Sequence, residues 1–258
     1  MLTKRLFLLI FLLFTVPVES VRISGPHFFS LGPEAYYLKR NKKGGTWQDG
    51  WLFGVRGGYE KLNSKGLYLS VDGYWVTGEL EGNSKAGNPL KSEVTEYEIE
   101  GRIGASYSFP KSCCITWVPY LGYGYFTSHN DFVKPTPLIY NSKSTFYYLA
   151  GGGMVLLSIG DCWNAGFHFK YKLPEEPKCT IKNDPDYGTV VLNLGVKSQY
   201  EIELPIRYRC CWMGKKLGFM LAPFYRYRHY GHQANYPADY IDTKFHIWGG
   251  HFQIQMVL

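Results

Sequence analysis

Between residues 96 and 109, apolar and polar side chains alternate: Tyr97, Ile99, Ile103, Ala105, Tyr107 and Phe109 interleave with Glu96, Glu98, Glu100, Arg102, Ser106 and Ser108. A period of two is that of a β-strand with one apolar and one polar face. Counting 93–109, strands are expected also at 31–40, 50–61, 66–80, 115–128, 144–159, 163–173, 188–209, 215–230 and 243–258, about ten in all. Two further rows are clean. One is Trp163, Ala165, Phe167, Phe169 and Tyr171; the other runs through Val190, Leu192, Leu194, Val196, Tyr200, Ile202, Leu204, Ile206 and Tyr208. The second exceeds the roughly 9 to 11 residues a tilted strand needs to cross a bilayer, so it should project beyond one. Residues 144–159 are apolar on both faces, and Pro119, Pro205 and Pro223 each remove a ladder donor, which places bulges near them.

The connections between these strands sort by length. Short ones at 62–65, 110–114, 160–162 and 210–214 alternate with long ones at 81–92, 129–143, 174–187 and 231–242. An even strand count puts both ends of the sheet on the short-turn rim. After residue 20 every apolar run is interrupted by glycine or charge, so a spanning structure must be a closed sheet that leaves no backbone group unpaired in lipid. The expectation is an all-β fold: an antiparallel transmembrane β-barrel with short periplasmic turns and longer extracellular loops.

The N-terminus adds a compartment. Lys4 and Arg5 precede an apolar run over 6–14, then Pro17, with Val18 and Ser20 set for cleavage. That reads as a signal peptide over 1–20, followed by one barrel domain over 21–258. The run is far shorter than the about 20 residues of a membrane-spanning helix. Aromatic content is 17%, with 22 Tyr and 7 Trp, as interfacial girdles require. The formal charge of +7 is spread along the chain; it suits an anionic lipid surface and gives no basic cluster for a nucleic-acid partner.

With apolar rows turned to lipid, the opposite rows face a lumen. Tyr97, Ile99, Ile103, Trp163, Phe167, Phe169, Leu192 and Leu194 are expected on lipid, and His168 inside. The expected interior acids are Glu60, Asp72, Glu96, Glu98, Glu100, Glu201 and Glu203. The interior bases are Arg56, Arg102, Lys170, Lys172, Lys197, Arg207, Arg209, Arg226 and Arg228. Unpaired charges in a confined interior are costly, so near balance predicts ion pairs that fill the lumen. A barrel of about eight strands is just filled by side chains, and open aqueous channels come at about 16. A general diffusion pore is therefore disfavoured.

In architecture the chain resembles the small outer-membrane β-barrels of Gram-negative-type bacteria. That resemblance implies lipid and the outer-membrane assembly machinery as partners, and roles as anchor, adhesin, small channel, or lipid- or peptide-cleaving enzyme. Such barrels usually end in an aromatic residue; here Phe252, Ile254, Met256 and Leu258 keep the alternation without it. Cys113, Cys114, Cys162, Cys210 and Cys211 all fall on short turns, and Cys179 lies in a long loop. In an oxidising periplasm the five are disulfide candidates, within the rim or to neighbouring envelope proteins. Their clustering resembles the disulfide-crosslinked envelope of chlamydia-like bacteria. Adjacent cysteines lack the usual zinc-ligand spacing, and no metal or cofactor is expected.

Catalysis needs a nucleophile or activated water with a positioned base. The candidate ingredients sit near the long-loop rim: His129 with Asp131, His229 with His232, and Asp239 with Asp242. No serine occupies a glycine-flanked elbow. Phe132, Ile139, Tyr140, Tyr236 and Tyr240 put aromatic and apolar groups on the long loops, where binding surfaces concentrate. The expected function is a structural or surface-binding barrel with a largely plugged lumen. A narrow channel, or a hydrolase acting at the extracellular rim, is the alternative.

Overall fold

A computed structural model describes residues 27–257 apart from 64, 110–114, 138, 161 and 213–214. The expected signal peptide, Cys113 and Cys114 lie outside the described residues. The strands are β1 (His27–Lys42), β2 (Thr46–Lys61), β3 (Gly66–Asn83), β4 (Pro89–Ser108), β5 (Ile115–Val133), β6 (Asn141–Ile159), β7 (Trp163–Asp184), β8 (Gly188–Asn193), β9 (Gly195–Val196), β10 (Gln199–Glu203), β11 (Ile206–Trp212), β12 (Lys215–Gly231) and β13 (Thr243–Val257). β8 to β11 follow one another as a single interrupted stave, giving ten staves in an antiparallel sheet. β1 pairs with both β2 and β13, which closes the barrel.

The apolar rows form a belt open to the outside. Ile99 and Ile103 of β4 are each 53% exposed, and Trp163, Phe167 and Phe169 of β7 are exposed as well. In a soluble barrel these would form the core; here the polar rows face in. Two aromatic girdles bound the belt. The outer runs Tyr200, Tyr225, Trp248, Tyr37, Trp51, with ring centroids 5.6 to 6.4 Å apart, and continues on another flank as Tyr97, Tyr125, Tyr147. The inner pairs Phe29 with Tyr59, Tyr107 with Trp117, and Trp163 with Tyr208. On β4 the girdles sit at Tyr97 and Tyr107. Ten residues at about 3.3 Å, tilted about 40°, span roughly 25 Å, the height of a lipid-facing band.

Most of the expected long connections are strand. β4 begins at Pro89, β6 at Asn141, and β7 runs on to Asp184, so the wall continues well past the outer girdle. What remains as connection on that rim is 43–45, 84–88, 134–140, 185–187 and 232–242. The weak first strand is complete, because β1 pairs along its whole length with β2.

The prolines behave in different ways. Pro119 and Pro223 stay in strand opposite Gly153 and Gly250. Pro205 separates β10 from β11 without shifting register, since β7 pairs continue in phase on both sides. The real bulge is elsewhere, at Glu175–Glu176, where β7 slips against β6 and Glu176 takes a φ of 39°. A second break lies at 194–198 between β8 and β10. Each inserts one residue and turns every later side chain to the other face. This corrects two expectations. Leu192 and Leu194 are buried inside, not on lipid, and Lys197 is exposed, not in the lumen.

Candidate functional site

The mid-barrel is filled by ion pairs that reach across it. Arg56 of β2 meets Asp72 at 2.6 Å and Glu34 at 3.3 Å; Arg226 of β12 meets Glu34 at 2.9 Å and Glu201 at 3.2 Å. Lys170 sits between Glu201 (3.3 Å) and Glu100 (3.4 Å), Lys172 holds Glu98 at 2.6 Å, and Arg102 pairs with Glu100. Towards the inner rim Arg207 binds Glu60 at 2.7 Å, and His251 lies 3.5 Å from Glu203. The sequence-predicted lumen charges Glu96, Glu98, Glu100, Arg102, Lys170, Glu201, Glu203, Arg226 and Arg228 are thus brought together, all facing inward. Glu34 completes the network and was missed, because it sits in the strand with the weakest alternation.

Tyrosines finish the filling. The Tyr36 hydroxyl donates to Glu96 at 2.5 Å and the Tyr148 hydroxyl to Glu100 at 2.8 Å. Both side chains face glycine on the paired strand: a Cβ on Gly124 would stand 2.4 Å from the Tyr148 ring, and one on Gly249 would stand 2.4 Å from the Tyr36 Cβ. Inward glycines such as Gly124 therefore set where the hydroxyls can reach.

Above this network, beyond the outer girdle, is a cavity of about 190 Å³. Its floor is the Glu96–Arg228 pair, held by two bonds of 2.8 Å. Its walls carry Arg40 and Lys42 of β1, Phe126 and Asn130 of β5, Cys179 of β7, Leu192 of β8, Tyr230 of β12 and Phe245 of β13. The 232–242 connection folds over it, closed on itself by reciprocal Gln233–Tyr240 backbone bonds and tied to Asn193 through Asn235.

The histidine candidates face outward on the rim. His229 is 3.0 Å from Asp242, and His232 is 3.4 Å from Asp239, so each histidine pairs with an aspartate and not with the other histidine. His129 stands opposite Lys143 across the ladder, and partial burial beside that lysine holds it below the ordinary histidine range. Asp131 accepts from Asn141 at 2.7 Å. Of the loop hydrophobics, Tyr236 and Ile139 are exposed, whereas Phe132 is buried, with Tyr140 packed on it at 4.5 Å, and Tyr240 lines the cavity. Cys162 is exposed, Cys210 half-buried and Cys179 buried, all three without a disulfide; Cys211 is described only through its backbone pairing with Lys216.

No family model and no curated protein sequence matches the chain. Solved structures do. The outer-membrane protease OmpT from Escherichia coli is similar over 94% of this chain and 99% of its own, with a TM-score of 0.57 and 10% identity. The translocator domain of the autotransporter NalP from Neisseria meningitidis covers 98% of this chain and 94% of its own, with a TM-score of 0.50 and 7% identity. At such identities the likeness is one of fold. The chain has the fold of the bacterial outer-membrane β-barrels, and its apolar belt between two aromatic girdles fits that membrane.

Proposed function

We propose that this protein is a non-enzymatic outer-membrane barrel that carries a rigid binding rim above a plugged lumen. The observation behind the reading is the unbroken chain of buried ion pairs from Arg56 through Glu34, Arg226, Glu201 and Lys170 to Glu100. Planar-bilayer recording tests it. Purified protein should give no stable conductance steps; regular steps that persist across preparations would establish the narrow channel instead.

A hydrolase at the extracellular rim is the second reading. It is favoured by the His229–Asp242 and His232–Asp239 pairs and by the likeness in fold to a protein named as a protease. Peptide or phospholipid cleavage by the wild type, lost in His229→Ala or His232→Ala, would replace the binding reading with this one. Cys210 and Cys211 lie in β11 and not on the turn after it; together with Cys113, Cys114 and Cys162 we assign them to disulfides on the periplasmic rim, formed within it or to neighbouring envelope proteins. Non-reducing electrophoresis of native membranes should show shifted or crosslinked species, and complete alkylation of all thiols in intact cells would remove the idea. Removal of residues 1–20 on export belongs to the same reading, with Val21 expected as the first residue by N-terminal sequencing.

A further inference from the structure

We infer that the outer cavity is a binding site for a small carboxylate carried on a single aromatic or apolar ring. This deepens the binding role proposed above and rests on it. The charge count of the cavity wall differs from that of the lumen beneath it. Arg40, buried, spends its hydrogen bonds on neutral groups, Asn130 Oδ1 at 3.2 Å and Gln48 Oε1. Lys42, two residues on and on the same face, has no carboxylate within ion-pair distance among the described residues. The acids that line the cavity are already engaged. Glu96 accepts two bonds from Arg228 and one from Tyr36, and Asp239 accepts from the Asn235 amide at 3.1 Å beside His232.

Two cations are thus left over in a partly dehydrated space, which is costly without a counter-charge. The wall also holds unused donors. Asn130 Nδ2 and Tyr230 OH, on side chains 5% and 2% exposed, have no hydrogen-bond partner. A carboxylate supplies what is missing: a negative charge for Arg40 and Lys42, and acceptor oxygens that a planar guanidinium meets two at a time. Beside Ser128, Ser142 and Ser144, the rest of the lining is mainly aromatic and apolar, from Phe126, Phe132, Tyr140, Tyr240 and Phe245. That lining favours a ring as the body of the anion. At about 190 Å³ the space is smaller than the roughly 300 Å³ at which pockets for drug-sized ligands begin, so one ring is the fitting size.

The test is calorimetric titration of the full-length protein folded in detergent with benzoate, with benzyl alcohol and inorganic phosphate as the other two arms. Benzoate should bind, at least tenfold more tightly than either control. Arg40→Gln should weaken it tenfold or more, and Lys42→Gln severalfold, with heat-modifiable migration on a gel confirming that each variant is folded. Should Arg40→Gln fail to fold, the half-buried Lys42→Gln and a Phe126→Ala variant carry the test. No benzoate binding by the wild type, phosphate binding as tightly, or unchanged affinity in the folded variants would each overturn the assignment. Failure here leaves the bilayer recordings untouched, so loss of this site and loss of the plugged-barrel reading are separate results.

Discussion

The mid-lumen and the outer cavity are built on the same ten staves and by the same inward alternation, yet they treat charge in opposite ways. In the mid-lumen the cations meet acids: Arg226 has Glu34 and Glu201, and Lys170 has Glu100 and Glu201. In the cavity Arg40 leans on amides and Lys42 has no acid near it. Paired buried charges hold a shape, and one partner's loss leaves the other stranded. Unpaired ones wait for something to arrive. The difference ties stability to the region between the girdles and the proposed binding to the region above the outer one.

The sharpest way to break this comparison is to remove one cation from each region. Arg226→Met leaves Glu34 with Arg56 and Glu201 with Lys170 but takes a buried cation from both, and should cost about 3–5 kcal/mol, whereas Arg40→Met removes an uncompensated charge along with two bonds to neutral amides and should cost far less. Urea unfolding of the two variants in vesicles measures both. Equal losses would mean that the cavity charges are as structural as the lumen ones.

The boundary between the regions can be sharpened next. Ile99 and Val191 are both exposed, at 53% and 55%, but Ile99 lies between the girdles and Val191 above them. Ile103→Arg, equally exposed and nearer the midplane than Ile99, should cost about 2–4 kcal/mol, and Val191→Arg no more than about 0.5 kcal/mol. A refolding titration that ranks them the other way would move the membrane.

How much of this was legible in the sequence follows from where the alternation is continuous. β4 keeps one phase from Glu96 to Ser106, so its lipid and lumen faces could be read directly, and Ile99, Ile103, Glu98 and Glu100 all lie as expected. Across β7 and the interrupted stave after it, the phase changes at Glu175–Glu176 and at 194–198. Pro174 and Pro177 flank the first change and Gly195, paired with Gly231, lies in the second, but 188–209 reads as a strand of one unbroken phase, and so Leu192, Leu194 and Lys197 were placed on the wrong face. The prolines that drew attention, Pro119 and Pro223, leave the phase intact. The cavity was not legible at all. It depends on Arg40, Asn130 and Tyr230 arriving from β1, β5 and β12, and only barrel closure brings them together.

A smaller effect separates the regions by pH. Above the outer girdle, half-buried Lys42 is drawn down to about 8, by burial first and then by Arg40. The other titratable groups around the cavity are Cys179 of β7, Tyr230 of β12, Tyr140, Asp239 and Tyr240 of the connections, and the Glu96–Arg228 floor. Because the folded value lies below the ordinary 10.5, the unfolded chain binds the extra proton between about pH 8 and 10.5, and stability should rise with pH across that window. Benzoate affinity should run the other way, falling as pH passes 8. Parallel unfolding and calorimetry at pH 7 and 9 check the opposition; Lys42→Gln should flatten both trends. The smallest effect concerns thiols. Burial raises Cys179 above the ordinary thiol range, so in protein whose disulfides have first been reduced a maleimide should modify exposed Cys162 well before it. Equal rates by mass spectrometry would mean that the cavity wall opens freely.

The paired phase changes on β7 and on its partner stave carry a consequence for how such a protein can vary. Because β8 keeps its pairing with β7 while both have turned over, the hairpin above the bulge is a unit whose inside and outside are set apart from those of the wall below. Matched single-residue deletions, one in each stave, would exchange Leu192 for Val191 on the cavity side and leave the pairing below the bulge in place. A lineage could therefore re-face its rim by two short indels, and change the surface it presents to the cavity, without disturbing the wall below the bulge.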